Sequence, residues 1–118
     1  MTSIADNISA VQQRVQHALQ EAGRQRDSLL LLAVSKTQPA TAIAAAHAAG
    51  LCAFGENYLQ EGELKIDQLA GSIDDLQWHF IGPLQSNKTR RTAELFDWVH
   101  SVDRLKIAER LAAHRPSD

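Results

Sequence analysis

The chain has 118 residues, 44% hydrophobic and 22% charged, a balance that suits a globular domain and excludes a fully disordered chain. Its 12 basic and 14 acidic side chains leave a formal net charge of -2, too near zero for a surface built to hold nucleic acid or anionic lipid. No apolar run approaches the roughly 18 residues of a membrane span, the opening MTSIADNISAVQQ lacks the layout of a secretory leader, and the single Cys52 has no partner for an internal disulfide. The expectation is a cytoplasmic protein folded as one unit over residues 1–118.

Ile4, Ile8, Val11, Val15 and Leu19 recur at steps of three and four, one face of an amphipathic helix over residues 3–22. Ser3 with Asp6 resembles a capping box, and Gly23 stands at the C-terminal stop. The apolar run Leu29–Val34 fits a strand or a buried helix by periodicity alone; its length and the helix start just after it favour a strand buried on both faces. Pro39 suits the first turn of an alanine-rich helix that Gly50 closes. Leu51–Phe54 reads as a second strand, which makes Cys52 a small core residue, and the next helix carries Leu59, Gly62, Ile66 and Leu69 on one face. Leu76–Ile81 is a third strand, broken by Gly82 and Pro83. Ser86 caps a helix to about Leu95, Asp97–His100 is a fourth strand, and Asp103 caps a last helix with Leu105, Ala108 and Leu111 inward.

A helix followed by four β-α units predicts an α/β fold with a parallel sheet and right-handed crossovers. Four such units are half of a TIM barrel, which takes about 250 residues in full. A flavodoxin-like or Rossmann sheet starts in the same way, yet no glycine-rich dinucleotide fingerprint or P-loop follows any of the strands.

Ligands of parallel α/β folds bind at the carboxyl ends of the strands. There the sequence places Ser35, Lys36 and Thr37; Gly55, Glu56, Asn57 and Tyr58; His79 and Gly82, with Gln85, Ser86, Asn87 and Lys88 beyond; and His100 and Ser101. Lys36 is the sharpest of these. A lysine ending a leucine-rich strand sits where desolvation favours the neutral amine, the nucleophile of Schiff-base chemistry with carbonyl compounds. The plainer alternative is a lysine snorkelling into water. His79 alone reads equally as a satisfied wall residue, Asn57 as a helix cap, and Lys88, Arg90 and Arg91 as a solvated helix face rather than a phosphate patch. His17, His47, His100 and His114 stand singly without ligand spacing, and Asp74 and Asp75 precede a strand, at the wrong end for paired-carboxylate chemistry, so no metal site is expected.

Together, Val34-Ser35-Lys36-Thr37, then Phe54-Gly55-Glu56-Asn57-Tyr58 with Gln60-Glu61, then Trp78-His79-Phe80-Ile81-Gly82-Pro83-Leu84-Gln85-Ser86-Asn87-Lys88 resemble the YggS/PROSC family of pyridoxal phosphate-binding proteins. The resemblance runs through essentially the whole chain, including the Asp103-Arg104-Leu105 helix start. It implies a TIM-type barrel like the N-terminal domain of alanine racemase. Pyridoxal 5'-phosphate would be held as a Schiff base on Lys36, with Asn57, His79 and Gly82 lining the cofactor pocket. It further implies a carrier or regulator in vitamin B6 and amino and keto acid homeostasis more than an enzyme. Family members run to roughly twice this length, and the further half would supply strands 5 to 8 with the phosphate-gripping loops and an arginine facing the pyridine nitrogen. The expected form is therefore half a barrel, completed by a C-terminal half or by a homodimer. Charge-assisted bonds to a phosphate contribute roughly 1.5 to 3 kcal/mol each, so the isolated chain is expected to retain the cofactor weakly.

Two other readings use the same residues. One is a Schiff-base enzyme, a lyase or racemase-like catalyst acting through Lys36. The other is a ligand-free half-barrel with a structural or interaction role, in which Lys36 carries no specific adduct and labelling is scattered over Lys65, Lys88 and Lys106 or absent.

Overall fold

The computed structural model describes residues 3–116; the ends of the expected 1–118 unit lie outside the described residues. It is an α/β fold with five α-helices and a four-stranded parallel sheet in the order β1-β2-β3-β4. Helix α1 (Ile4–Glu21) starts at the reciprocal capping box of Ser3 and Asp6, and Gly23 follows its C-cap at a φ of +65°. Strand β1 (Ala33–Val34) leads to α2 (Ala40–Ala48), and Gly50, at a φ of +106°, turns the chain into β2 (Ala53–Glu56). Then follow α3 (Leu59–Leu69), β3 (Gln77–Phe80), α4 (Thr89–Leu95), β4 (Trp98–Val99) and α5 (Leu105–His114).

Ile43 and Ala46 of α2 and Leu69 of α3 pack with Phe54, Trp78, Phe80 and Phe96 into the core on one face of the sheet. Phe80 and Phe96 meet edge to face at 5.2 Å. Gly62 lets α3 approach Phe96 closely: a Cβ there would lie 2.7 Å from the ring. Strand alternation sends Gly55, His79 and Trp98 to the other face of the sheet.

Several expectations change at the strand and helix ends. The run Leu29–Val34 is no six-residue strand buried on both faces: only Ala33 and Val34 pair, and Val34 is 53% exposed. β1 is an edge strand whose outer side has no neighbour among the described residues, so it lacks the two-sided cover of an internal parallel strand. Cys52 precedes β2 and is exposed rather than in the core. Ser86 opens a 3-10 turn (Ser86–Lys88) ahead of α4, without capping it through its side chain. Asp103 lies beside Arg104, 3.7 Å from its Nε, instead of capping α5, and Leu105 is 74% exposed. Ile107 is the buried residue of that helix.

Candidate functional site

Parallel pairing brings all four strand carboxyl ends to one edge of the sheet. Val34 lies opposite Gly55, Glu56 opposite Phe80, and Phe80 opposite Val99. Lys36, Asn57, Gly82, His100 and Ser101 therefore follow neighbouring strands at the same end, and His79 lies within β3 just before it.

The backbone around Lys36 is clamped from beneath. Glu56, fully buried, faces α3 and accepts the hydroxyl hydrogen of Ser35 and two bonds at 3.0 and 3.1 Å from the Lys65 ammonium. Lys65 also donates to the Ser35 carbonyl oxygen at 2.7 Å and to Glu61 at 2.7 Å. Glu61 in turn accepts the Thr37 backbone N–H at 2.6 Å. Both neighbours of Lys36 are thus tied to one ion-paired network, and Thr37 is held at a φ of +64°, a left-handed conformation that β-branched residues rarely adopt. Bonding to Lys65 holds the Glu61 carboxyl below its ordinary value, against the opposing effect of burial. The Lys36 side chain itself is exposed, so the desolvated setting expected for its amine is not found within this chain.

His79 is buried and stacks on Trp98, with ring centroids 5.9 Å apart and planes 6° from parallel. Its Nδ1 lies 2.9 Å from Nε2 of His100. Burial, then the neighbouring His100, lowers its pKa, with Asp97 acting in the opposite direction. Gly82 presses on the backbone of Asn57: a Cβ would fall 2.0 Å from the Asn57 carbonyl oxygen. Asn57 also lines a groove of about 300 Å³ with Tyr58, Leu84 and Lys88. After β4, the Ser101 hydroxyl is buried with no hydrogen-bond partner among the described residues.

Arg91 belongs to a solvated face, its guanidinium paired with Glu63 at 2.9 and 3.1 Å. The network residue that sequence reasoning missed is Lys65, which looked like one more surface lysine. Its signal was position: it lies on the buried side of α3 with Gly62 and Leu69. At the opposite end of the strands the fold also brings Asp75 to His47 and Cys52, more than twenty positions earlier in the chain.

No family model matches the chain. It is 60% identical over 117 residues to the pyridoxal phosphate homeostasis protein of Pseudomonas aeruginosa, covering 99% of this chain and 50% of that protein. Identity to the protein of the same name from Escherichia coli strain K12 is 51% over 119 residues, covering 100% of this chain and 51% of that protein. Among solved structures, PipY of Synechococcus elongatus PCC7942 with pyridoxal phosphate bound aligns with a TM-score of 0.78 at 42% identity, over 95% of this chain and 48% of PipY. PipY without the cofactor aligns with a TM-score of 0.79. The chain thus spans about half the length of the relatives it matches.

Proposed function

We propose that this chain, 51–60% identical over its length to proteins named pyridoxal phosphate homeostasis protein, contributes the anchoring half of a site for pyridoxal 5'-phosphate and serves intracellular vitamin B6 and amino and keto acid balance, as a carrier or regulator more than an enzyme. Residues 1–118 are read as one partial domain, half of a TIM-type barrel whose open strand edges at β1 and β4 meet a further half or a second copy.

The observation that carries the reading is the clamped backbone at Lys36, which presents a primary amine at the carboxyl end of a parallel strand while Ser35 and Thr37 are fixed to the network below. The cofactor, when bound, supplies an electrophilic aldehyde that such an amine captures reversibly as a Schiff base. Other residues fit the same group. The His79 imidazole, its pKa lowered by burial and by His100, is biased toward its neutral form at the same end of the sheet as Lys36. Asn57 and Gly82, in close backbone contact at the same end of the strands, are read as lining the pocket. The unpartnered Ser101 hydroxyl leaves a buried hydrogen-bonding position for a polar ligand atom. Arg91 is engaged by Glu63, so a phosphate grip falls to the further half of the barrel.

The test is to incubate the chain with pyridoxal phosphate, reduce with borohydride and locate the adduct by mass spectrometry. A single adduct at Lys36, abolished in Lys36→Ala, is expected, with Lys65 unlabelled because it is buried and ion-paired. Equal labelling of Lys36, Lys88 and Lys106, or none at Lys36, overturns the reading in favour of a ligand-free half-barrel.

A further inference from the structure

The amino-terminal ends of the strands carry a second cluster, away from Lys36. His47 lies in the last turn of α2, Cys52 immediately before β2, and Asp75 two residues before β3. The Asp75 carboxylate meets both of the others: one oxygen lies 2.6 Å from Nε2 of His47, and the other lies 3.7 Å from the Cys52 sulfur. All three ligand atoms fall within 4.8 Å of one another. The backbone holds them there. Gly50 N–H donates to the His47 carbonyl oxygen at 2.9 Å and Leu51 N–H to that of Ala46 at 3.1 Å, which fixes the turn from α2 to Cys52. The Gln77 N–H donates to the Cys52 carbonyl oxygen at 2.7 Å, which fixes the approach of Asp75.

We propose that His47, Cys52 and Asp75 form a binding site for a thiophilic divalent cation, Zn²⁺ above all, with water as the fourth ligand. Nitrogen, sulfur and carboxylate oxygen form a borderline-soft donor set that suits zinc and excludes magnesium and calcium, which take oxygen ligands. With Zn–N near 2.0 Å and Zn–S near 2.3 Å, tetrahedral geometry spaces ligand atoms roughly 3.3–3.8 Å apart, so side-chain adjustments of about 1 Å suffice. The ligands come from three segments already joined by backbone hydrogen bonds, which keeps the ordering cost low. Binding forms a Zn–S bond and breaks the S–H bond of Cys52, whose proton passes to the buffer. Nε2 of His47 gives its lone pair to the metal while its proton is relocated to Nδ1, and the Asp75 carboxylate exchanges its two hydrogen bonds, one on each oxygen, for one Zn–O bond. Because the thiol gives up its proton on binding, uptake is coupled to pH.

The experiment titrates the metal-free chain with zinc chloride against a chromophoric chelator. One zinc per chain is expected, with release of the Cys52 thiol proton and with Cys52 protected from alkylation in the unsubstituted protein. Outer-shell changes alone cost about 10–100-fold in metal affinity, so Cys52→Ser, His47→Gln and Asp75→Asn should each cost at least about 100-fold. Cobalt(II) should give a thiolate charge-transfer band that Cys52→Ser abolishes. Lys36→Ala should bind zinc as the parent does, which separates this site from the cofactor reading. No zinc uptake by the parent chain, unchanged affinity in Cys52→Ser, or alkylation of Cys52 at the same rate with and without zinc overturns the proposal.

Discussion

The ammonium of Lys65 lies 2.7 Å from the carbonyl oxygen of Ser35, so a buried helix residue with only 4% exposure holds the residue that precedes Lys36. The same ammonium neutralises the fully buried Glu56, and the three elements β1, β2 and α3 meet at that single charge.

Removing one member of this pair should therefore cost far more than removing a surface lysine. Lys65→Met leaves Glu56 as an uncompensated buried carboxylate, and breaking a buried pair from one side costs about 3–5 kcal/mol. Lys65→Met combined with Glu56→Gln should recover a substantial part of the loss, because no buried charge then remains unpaired. Urea unfolding of the single and double variants checks this; additive losses would contradict it.

Two glycines separate close packing from turn chemistry. In Gly82→Ala the new methyl meets the Asn57 carbonyl oxygen at 2.0 Å, a backbone atom that has little room to retreat. A loss of at least about 1–3 kcal/mol is expected from overpacking. Gly71→Ala meets nothing within 4 Å and should be neutral or stabilise by roughly 0.4–1 kcal/mol. Thermal melts of both variants should move in different directions or by clearly different amounts.

Acid should destabilise the fold in two stages. Burial and His100 hold the His79 imidazole below its ordinary 6.5, so the unfolded chain takes up that proton first. The contribution is complete above about pH 6.5 and is lost as the pH falls below it. Glu61, held low chiefly by its bond to Lys65, and Glu63, held low chiefly by Arg91, contribute in the same sense below their ordinary 4.5. In melting temperatures recorded against pH, His79→Gln should flatten the upper stage and leave the lower one.

Thr37 supplies a fourth test. Its φ of +64° is unfavourable for a β-branched residue and acceptable for asparagine. Thr37→Asn should keep the backbone N–H bond to Glu61 and stabilise by up to about 1 kcal/mol, whereas Thr37→Ile should not. Denaturant midpoints distinguish the two.

Much of this architecture is written locally. The Ser3–Asp6 box, the stops at Gly23 and Gly50 and the inward face of α3 all depend on residues within a few positions of one another, and the fold retains each of them. What stayed hidden depends on partners distant in the chain. Leu29–Val34 has the composition of a buried strand, but its burial requires a neighbour on its outer side, which composition does not report. Lys65 is buried because Glu56, on another element, neutralises it. The strand-end residues Lys36, Asn57 and Gly82 were legible because parallel β-α units repeat one geometry. The clustering of His47 with Asp75 was not, because it arises only when two such units pack side by side.

The strand order carries a kinetic consequence. Among the described residues, strands pair with their sequence neighbours, and each pairing joins residues roughly twenty positions apart. Such short-range closure keeps the contact order low and lets the sheet grow in one direction. During synthesis, β1 and β2 can pair before β4 has been translated, so each new unit docks on an edge already formed. The fourth strand, β4, brings Trp98 onto His79, so that stacked pair of the site forms only after β1, β2 and β3 have been translated.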